Sequence, residues 1–441
     1  MYDKISFQRW ISVHNYGKSY QIDSIPLIYN VDEIKANDEG GVSKRFYYLC
    51  KTNSESKNVI NMKSLFFLAA ALLSPLSMNA QKRQIPTEEE MGAYVMVYHK
   101  DCDHSLHMAV SYDSYNWTSL NDDKPVISGD SIAVQHGIRD PHIFRGPDGG
   151  FYLAMTDLHL FSQKSFENRE GYSKLSEYRD TQWERDASYG WGNNRGLVLM
   201  KSFDLIHWTR TNLDFSSLTC PTGITDHHGN PIPWSEVGCV WAPETVYDYE
   251  KGQLLVHFTT RMKSGTEMIY YIYMNDDFTK MLSEPKLLFE APMDKNRVPA
   301  YTVIDSDICK VGDTYHLFYV SHEHTATVKH ATSKCITGPY VMDDKYNDGE
   351  KEGHEAPNCW KRIGKDCWVV MFDNYHRRPH NFGFVETSDF QTFTPIGYFD
   401  AENSPMKRAN FSEQKHAAVV PLTVKEAKAL EKYWKKRARA K

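Results

Sequence analysis

The chain lacks the features that mark nucleic-acid-binding and membrane-spanning proteins. Its formal net charge is −6 over 441 residues, and no basic stripe is interleaved with aromatic residues, so the sequence gives little support for nucleic-acid binding. The apolar run from Leu65 to Leu73 is too short to cross a bilayer core of about 30 Å. The sequence therefore predicts no nucleic-acid partner and no membrane span.

Cysteines are also few, and they form no metal-binding pattern. Seven of the 8 cysteines follow residue 80. Seven is an odd number, and the spacing fits no zinc motif. We therefore predict no zinc centre, and the sequence leaves the pairing of any disulfides open.

The segment 62–80 has the plan of a secretory signal peptide. A Met and a Lys precede the apolar run, and a small residue, Ala80, stands at the expected cleavage site. Residues 1–61 are polar and without a clear period, so we interpret them as an upstream extension of the gene model and not as part of the fold. These features predict a periplasmic or secreted protein whose folded domain is 82–441.

A segment that recurs with variations organises this domain. Each copy opens on a polar residue, continues as an apolar strand, turns at Gly or Asp, and returns as a second apolar strand. The copies are Ile138 to Met155, Val240 to Phe258, Val303 to Val320 and Gly353 to Phe372. The aromatic content of 13% also favours β structure. Hairpins repeated in this way are typical of β-propeller blades.

A second repeat predicts the outer edges of the blades. Ser111 to Thr118 is similar to Ser202 to Thr209, and each segment follows an apolar strand. A fifth inner strand begins near His416, and the strands at 93–118 would join it, so that the two chain ends close the ring. A basic, helix-forming segment from Val424 to Ala440 follows. We therefore predict an all-β fold, a five-bladed β-propeller with a short C-terminal helix.

Acidic residues lie at the starts of several predicted inner strands. Asp140, Glu244, Asp305 and Glu355 would converge on one pocket around the propeller axis. Clustered carboxylates repel one another, so their pKa values separate and one group holds its proton while another stays ionised. Glycosidic hydrolysis needs such a pair, because a base activates water and an acid protonates the leaving oxygen.

The residues around these acids resemble, in order, the motifs of glycoside hydrolase family 43. The similar segments are Arg139-Asp140-Pro141-His142-Ile143, Trp241-Ala-Pro-Glu244, Ile304-Asp305-Ser306 and Glu355-Ala356-Pro357. The resemblance extends from about Ala93 to Thr423. It implies a five-bladed propeller that acts on arabinose- or xylose-containing glycans and requires no cofactor.

The resemblance also implies roles for individual residues. Asp140 would be the general base, Glu355 the general acid, and Asp305 the group that raises the pKa of the acid and orients it. Arg139, Trp241 and Glu244 would bind substrate. His416 is similar to a final-blade His that faces a calcium or other ion in some members, which implies a structural calcium ion near the axis.

Two departures from the family pattern leave assignments open. Ser306 replaces the usual Pro, and Asp307 lies two residues beyond Asp305. Because strand alternation places such residues on one face, Asp307 is a rival for the role of Asp305. Glu244 replaces an Asp, and its carboxylate reaches farther.

The predicted function is the inverting removal of terminal α-L-arabinofuranosyl residues from plant-type polysaccharides by a monomer. The alternatives are a β-xylosidase, a galactan-acting glycosidase, a phosphorylase or anhydrosugar hydrolase of similar fold, and a glycan-binding propeller without catalysis. Retaining fructan-cleaving propellers share the Arg-Asp-Pro motif, but their Trp-Met-Asn-Asp-Pro nucleophile motif is absent from 82–137. The loops at 158–195 and 212–238 would shape the sugar subsites.

Overall fold

The computed structural model describes most of the chain beyond residue 84. The described residues are 85–160, 194–226, 228–262, 267–295, 299–343, 345, 347 and 353–439, with the backbone of two short strands, His14–Asn15 and Lys18–Ser19. These two strands pair with each other in a separate unit, 1–75. The predicted signal peptide at 62–80 and the rest of 1–61 lie outside the described residues.

Four sheets of four antiparallel strands each form blades 1 to 4, and in each sheet the strands follow chain order. Blade 1 contains His136–Arg145, Phe151–His159, Gly196–Ser202 and Trp208–Asp214. Blade 2 contains Val237–Asp248, Gln253–Met262, Met268–Met274 and Lys286–Phe289. Blade 3 contains Val303–Val311, Thr314–Ser321, Thr327–Ser333 and Val341–Asp343. Blade 4 contains His354–Lys361, Trp368–Asn374, Asn381–Thr387 and Thr394–Tyr398.

Blade 5 joins the two ends of the propeller. Its inner strand is Lys415–Thr423, and Met91–His99, Leu106–Ser111 and Asn116–Ser119 pair outward from it. A two-residue strand, Lys407–Arg408, adds to the outer edge in parallel. Pairing of the last strand with the first closes the ring without a hairpin and covers edges that would otherwise be exposed. The predicted five-bladed propeller, with one C-terminal helix, is confirmed.

Glycines make the inner hairpins of blades 1 to 4 possible. Gly149, Gly252, Gly312 and Gly364 follow the inner strands and all have positive φ, between 57° and 76°. Glycine adopts this conformation at little cost, whereas a β-carbon would be strained there. The turns recognised in the sequence are therefore the turns between the first and second strands.

Apolar cores lie between neighbouring blades. In Met91–His99, the side chains of Ala93, Val95 and Val97 join the cluster shared with blade 1. Tyr94, Met96 and Tyr98 point the other way and join the cluster shared with blade 4. Because both faces of each sheet are covered, the second strand of blade 1, Phe151–His159, is buried along its whole length instead of at alternate residues.

Every inner strand contains a one-residue β-bulge near its start. The bulges interrupt the pairing after Arg139, Trp241, Ile304, Glu355 and Lys415. The next residue of each strand has positive φ, which is uncommon outside glycine. These residues are Asp140, Ala242, Asp305, Ala356 and His416, with φ between 42° and 56°. Bulges change the direction of side chains and are frequent beside active sites.

Hydrogen bonds between blades hold the bulges in register. The N–H of Ala242 donates to Thr156 of blade 1, and the N–H of Asp305 donates to Thr259 of blade 2. The N–H of His416 donates to Asp373 of blade 4. Thr156, Thr259 and Asp373 are each paired across their own hairpin with the residue before the bulge. Each bulge is thus supported by the preceding blade.

The C-terminal helix, Val424–Arg439, packs on the junction of blades 5 and 1. Its buried residues Ala427, Leu430 and Trp434 follow helical spacing and join the core there. Glu426 accepts from the N–H of Thr423 and Thr423 Oγ1 accepts from the N–H of Glu426, which forms a capping box. Within the described part of the chain, no helix is long and apolar enough to cross a membrane.

Candidate active site

A pocket of about 410 Å³ lies where the bulged ends of the inner strands meet. The strands of all five blades contribute to it. Its lining residues with ionisable side chains are Asp101, Arg139, Asp140, Asp305, Glu355, Arg378, His380, Lys415 and His416. The structure therefore brings Asp140, Asp305 and Glu355 to one pocket, together with Arg139, Trp241 and His416. Glu244 is not part of this lining.

Asp140 is held as a carboxylate by its neighbours. Its Oδ1 lies 3.0 Å from His416 Nδ1, and its Oδ2 accepts a hydrogen bond of 2.7 Å from Thr156 Oγ1. Burial alone would raise the pKa of Asp140, but His416 and Arg139 outweigh it and hold the pKa well below its usual range. The group is thus ionised at ordinary pH and available as a proton acceptor.

Asp305 is the pocket acid that keeps its proton most readily. Burial, opposed by His416 and reinforced by Glu355 and Asp140, raises the pKa of Asp305 to about 7. Its Oδ2 accepts a hydrogen bond of 3.3 Å from the N–H of Ala356, the residue after Glu355. Asp305 is therefore placed against the backbone that carries Glu355.

Glu355 forms an ion pair with a residue that the sequence did not single out. Lys415 Nζ donates to Glu355 Oε1 at 2.8 Å. Burial opposes ionisation of Glu355, but Lys415 and then Arg139 and His416 outweigh it and lower the pKa. In this arrangement Glu355 is ionised, and Asp305 is the more protonated of the two.

Glu244 and Asp307 do not line the pocket. The expected substrate contact of Glu244 is therefore not seen, and only Asp305 of the two candidate aspartates faces Glu355. Glu244 and Asp307 form a separate buried cluster with His142, in which one atom from each residue lies within 4.8 Å of the others. The physical reason is the bulge. It interrupts strand alternation between Trp241 and Glu244 and between Ile304 and Asp307.

The buried cluster of His142, Glu244 and Asp307 has the character of a hydrogen-bonded network more than of a calcium site. His142 Nδ1 accepts from the N–H of Thr245, so the neutral imidazole carries its proton on Nε2, the nitrogen nearest Glu244 and Asp307. Burial, followed by the charge of Asp307, raises the pKa of Glu244 well above its usual range. Calcium prefers six to eight oxygen ligands, and these groups offer two carboxylates.

His416 is better suited to act as a positively charged partner of Asp140 than as a metal ligand. Burial opposes its protonation, but Asp140, then Asp305 and Glu355, outweigh it and raise the pKa of His416. A protonated imidazole has no lone pair for a metal. The predicted calcium ion near the axis stays a prediction, which metal analysis of the purified protein would test.

Several lining residues were missed because no sequence motif carries them. Asp101 lies in the turn between two strands of blade 5, and its Oδ1 is 3.6 Å from Arg139 Nη2. Its Oδ2 is 3.6 Å from His380 Nε2, and Arg378 lies in the same loop after Asn374. The one signal for Lys415 was its position beside His416.

The profile of the family described as "Probable glycosyl hydrolase domain", a relative of glycoside hydrolase family 43, matches residues 89–428. The chain belongs to this family.

The solved structures that match the chain include a thermostable family-43 glycoside hydrolase. That structure has a TM-score of 0.41 and 15% identity, and the match covers 64% of this chain and 78% of the other. An endo-1,4-β-xylanase from Bacteroides thetaiotaomicron has a TM-score of 0.45 and 13% identity, with 69% and 91% covered.

A curated relative is an α-L-arabinofuranosidase from Bifidobacterium longum. It is 24% identical over 257 aligned positions, and the match covers 52% of this chain and 20% of the relative. The chain therefore matches about a fifth of the length of that protein.

Proposed function

We propose that this chain is a glycosidase that hydrolyses O-glycosyl bonds with net inversion. The observation that supports this proposal most directly is the convergence of Asp140, Asp305 and Glu355 on one pocket. Asp140 would take a proton from the attacking water, and Glu355 would protonate the leaving oxygen. Asp305 accepts a hydrogen bond from the N–H of Ala356, the residue after Glu355. It would orient Glu355 and influence the protonation of that acid.

The proposed substrate is a plant-type polysaccharide with terminal α-L-arabinofuranosyl residues. The name of the curated relative supports this choice, and the pocket volume of about 410 Å³ suits the burial of one sugar. Trp241 lines the pocket and would offer an aromatic surface to the sugar, with Arg261 5.4 Å from its ring centre. The exported chain would act alone on this substrate, as a monomer.

The first test is a panel of nitrophenyl glycosides and plant polysaccharides, with the products identified. We expect release of arabinose from the α-L-arabinofuranoside, and proton NMR should show the inverted anomer first. Preference for the β-xyloside or a galactan would assign the alternative sugar. Net retention would contradict the roles given to Asp140 and Glu355, and binding without cleavage would indicate a glycan-binding propeller.

We also propose that the protein is exported to the periplasm or medium. The support is the signal-like segment 62–80, which precedes the first blade strand at Met91. N-terminal sequencing of protein from the native host should find a start near Gln81. A mature protein that retains 1–61 would show that this prediction is wrong.

A further inference from the structure

Lys415 lies between two carboxylates of blade 4, the partly exposed Glu355 and the buried Asp373. Its Nζ is 2.8 Å from Glu355 Oε1 and 3.7 Å from Asp373 Oδ2. Glu355 and Asp373 are paired directly across the first hairpin of that blade. Lys415 is 5% exposed and Asp373 is 1% exposed, so water competes little for either group. A movement of about 1 Å would therefore transfer the ammonium group from one acid to the other.

Asp373 has room for another hydrogen-bond donor. Its Oδ2 accepts from the N–H of His416 at 3.3 Å. Its Oδ1 is buried and has no hydrogen-bond partner among the residues that the structure describes. An unpaired buried carboxylate oxygen is unfavourable, and Lys415 carries three N–H donors. Asp373 is therefore a second position at which the ammonium group would be stabilised.

The charges that surround Glu355 come from every neighbouring element. The positive groups are Lys415 and His416 from blade 5 and Arg139 from blade 1. The other titratable groups are Asp305 and His322 from blade 3 and Asp373 from blade 4. Burial, reinforced by Glu355 and opposed by Lys415, raises the pKa of Asp373 to about 6. In the free protein Lys415 thus neutralises Glu355, while Asp373 binds a proton at mildly acid pH.

This arrangement conflicts with proton donation by Glu355 unless Lys415 moves. A carboxylate in a close ion pair has no proton to give to a leaving oxygen. If the ammonium group moves to Asp373, the proton of Asp373 can pass to Glu355. One acid loses one proton, the other gains it, and Lys415 keeps all of its own. The summed charge of the three groups stays the same, which keeps the cost low in a buried site.

We propose that Lys415 is a positioning residue that pairs with Glu355 in the free enzyme and with Asp373 when substrate is bound. The proposal rests on the proposed glycosidase function. Lys415 would hold the Glu355 side chain in place before binding. It would then release that side chain for protonation as the glycosidic oxygen enters the pocket.

Two variants should shift the pH dependence of kcat/KM in opposite directions. In Lys415→Met, Glu355 loses its cation, its pKa rises, and the basic limb should move up by about 1 unit or more. In Asp373→Asn, an anion is lost and Lys415 has no second acid. The pKa of Glu355 should fall, and the basic limb should move down. Asn can still accept from the N–H of His416, and Lys415→Arg is the matched control that keeps the charge.

A titration separates this inference from the proposed function. The carboxyl carbons of ¹³C-labelled Glu side chains are followed by NMR, and the Glu355 signal is identified by its loss in Glu355→Gln. Its pKa should rise in Lys415→Met and fall in Asp373→Asn, even if no glycoside is cleaved. Shifts in the same direction, or an unchanged pKa in Asp373→Asn, would overturn the role of Lys415. A wild type inactive on the whole panel would overturn the proposed function alone.

Discussion

Asp140→Asn should reduce kcat by about 10²–10⁴-fold or more on every substrate, whatever its leaving group. The amide cannot take a proton from the attacking water, and this defect is the same however readily the leaving group departs. Asn keeps one oxygen that can accept from Thr156, which now donates to Asp140 Oδ2 at 2.7 Å. The fold should therefore persist. The measurement is kcat on a series of aryl glycosides that differ in the acidity of the phenol.

Thr156→Val is a matched control for this prediction. It removes the hydrogen bond to Asp140 and the one from the N–H of Ala242, but it leaves the carboxylate and its contact with His416. The loss should be much smaller than that in Asp140→Asn. His416→Gln gives a second check, because it removes a cation that lowers the pKa of Asp140. The acidic limb of the pH profile should then move to higher pH. A loss confined to poor leaving groups in Asp140→Asn would contradict its role as base.

The propeller could be predicted because its signals are local and repeated. Glycine turns such as Gly252 and Gly312 recur at the same place in each hairpin, and each turn dictates two paired strands. Closure of the ring by Lys415–Thr423 and Met91–His99 followed from the order of the strands and the need to cover their edges. These features depend on neighbours in the sequence and on a simple repeat.

The direction in which the site residues point depends on β-bulges, and no particular residue type in the sequence indicates where a bulge lies. Asp140, Ala242 and His416 have little in common chemically, yet each has positive φ directly after the pairing is interrupted. Simple alternation places Asp305 and Asp307 on one face, but the bulge directs only Asp305 into the pocket. The bulge after Trp241 likewise directs Glu244 away from the pocket.

Sequence motifs could not predict the contacts that site residues make with residues of other blades. Lys415 and Glu355 are 60 positions apart in the chain and form a hydrogen bond of 2.8 Å. Asp101 comes from a turn near the start of the domain and lies beside Arg139 and His380. Such contacts arise only when the fifth blade closes, so they require the three-dimensional structure.

Glu355→Gln should divide substrates according to their leaving groups. A nitrophenolate departs with little protonation, so its kcat should fall only slightly. An alkyl glycoside or polysaccharide needs a proton on the leaving oxygen, and its kcat should fall by about 10²–10⁴-fold. The introduced amide keeps an oxygen that can accept from Lys415, so the loss should not come from unfolding. The basic limb of the pH profile should also disappear, because the acid that it reports is gone.

Glu244→Gln is the matched control, since Glu244 is also a Glu on an inner strand but is more deeply buried and lies outside the pocket lining. It should show no dependence on the leaving group. Asp305→Asn tests the remaining assignment, because Asp305 holds a proton more readily than Glu355 in the free protein, where the pKa of Asp305 is raised to about 7. If Asp305→Asn, and not Glu355→Gln, affects mainly poor leaving groups, Asp305 is the proton donor. Glu355 would then serve only as the partner of Lys415.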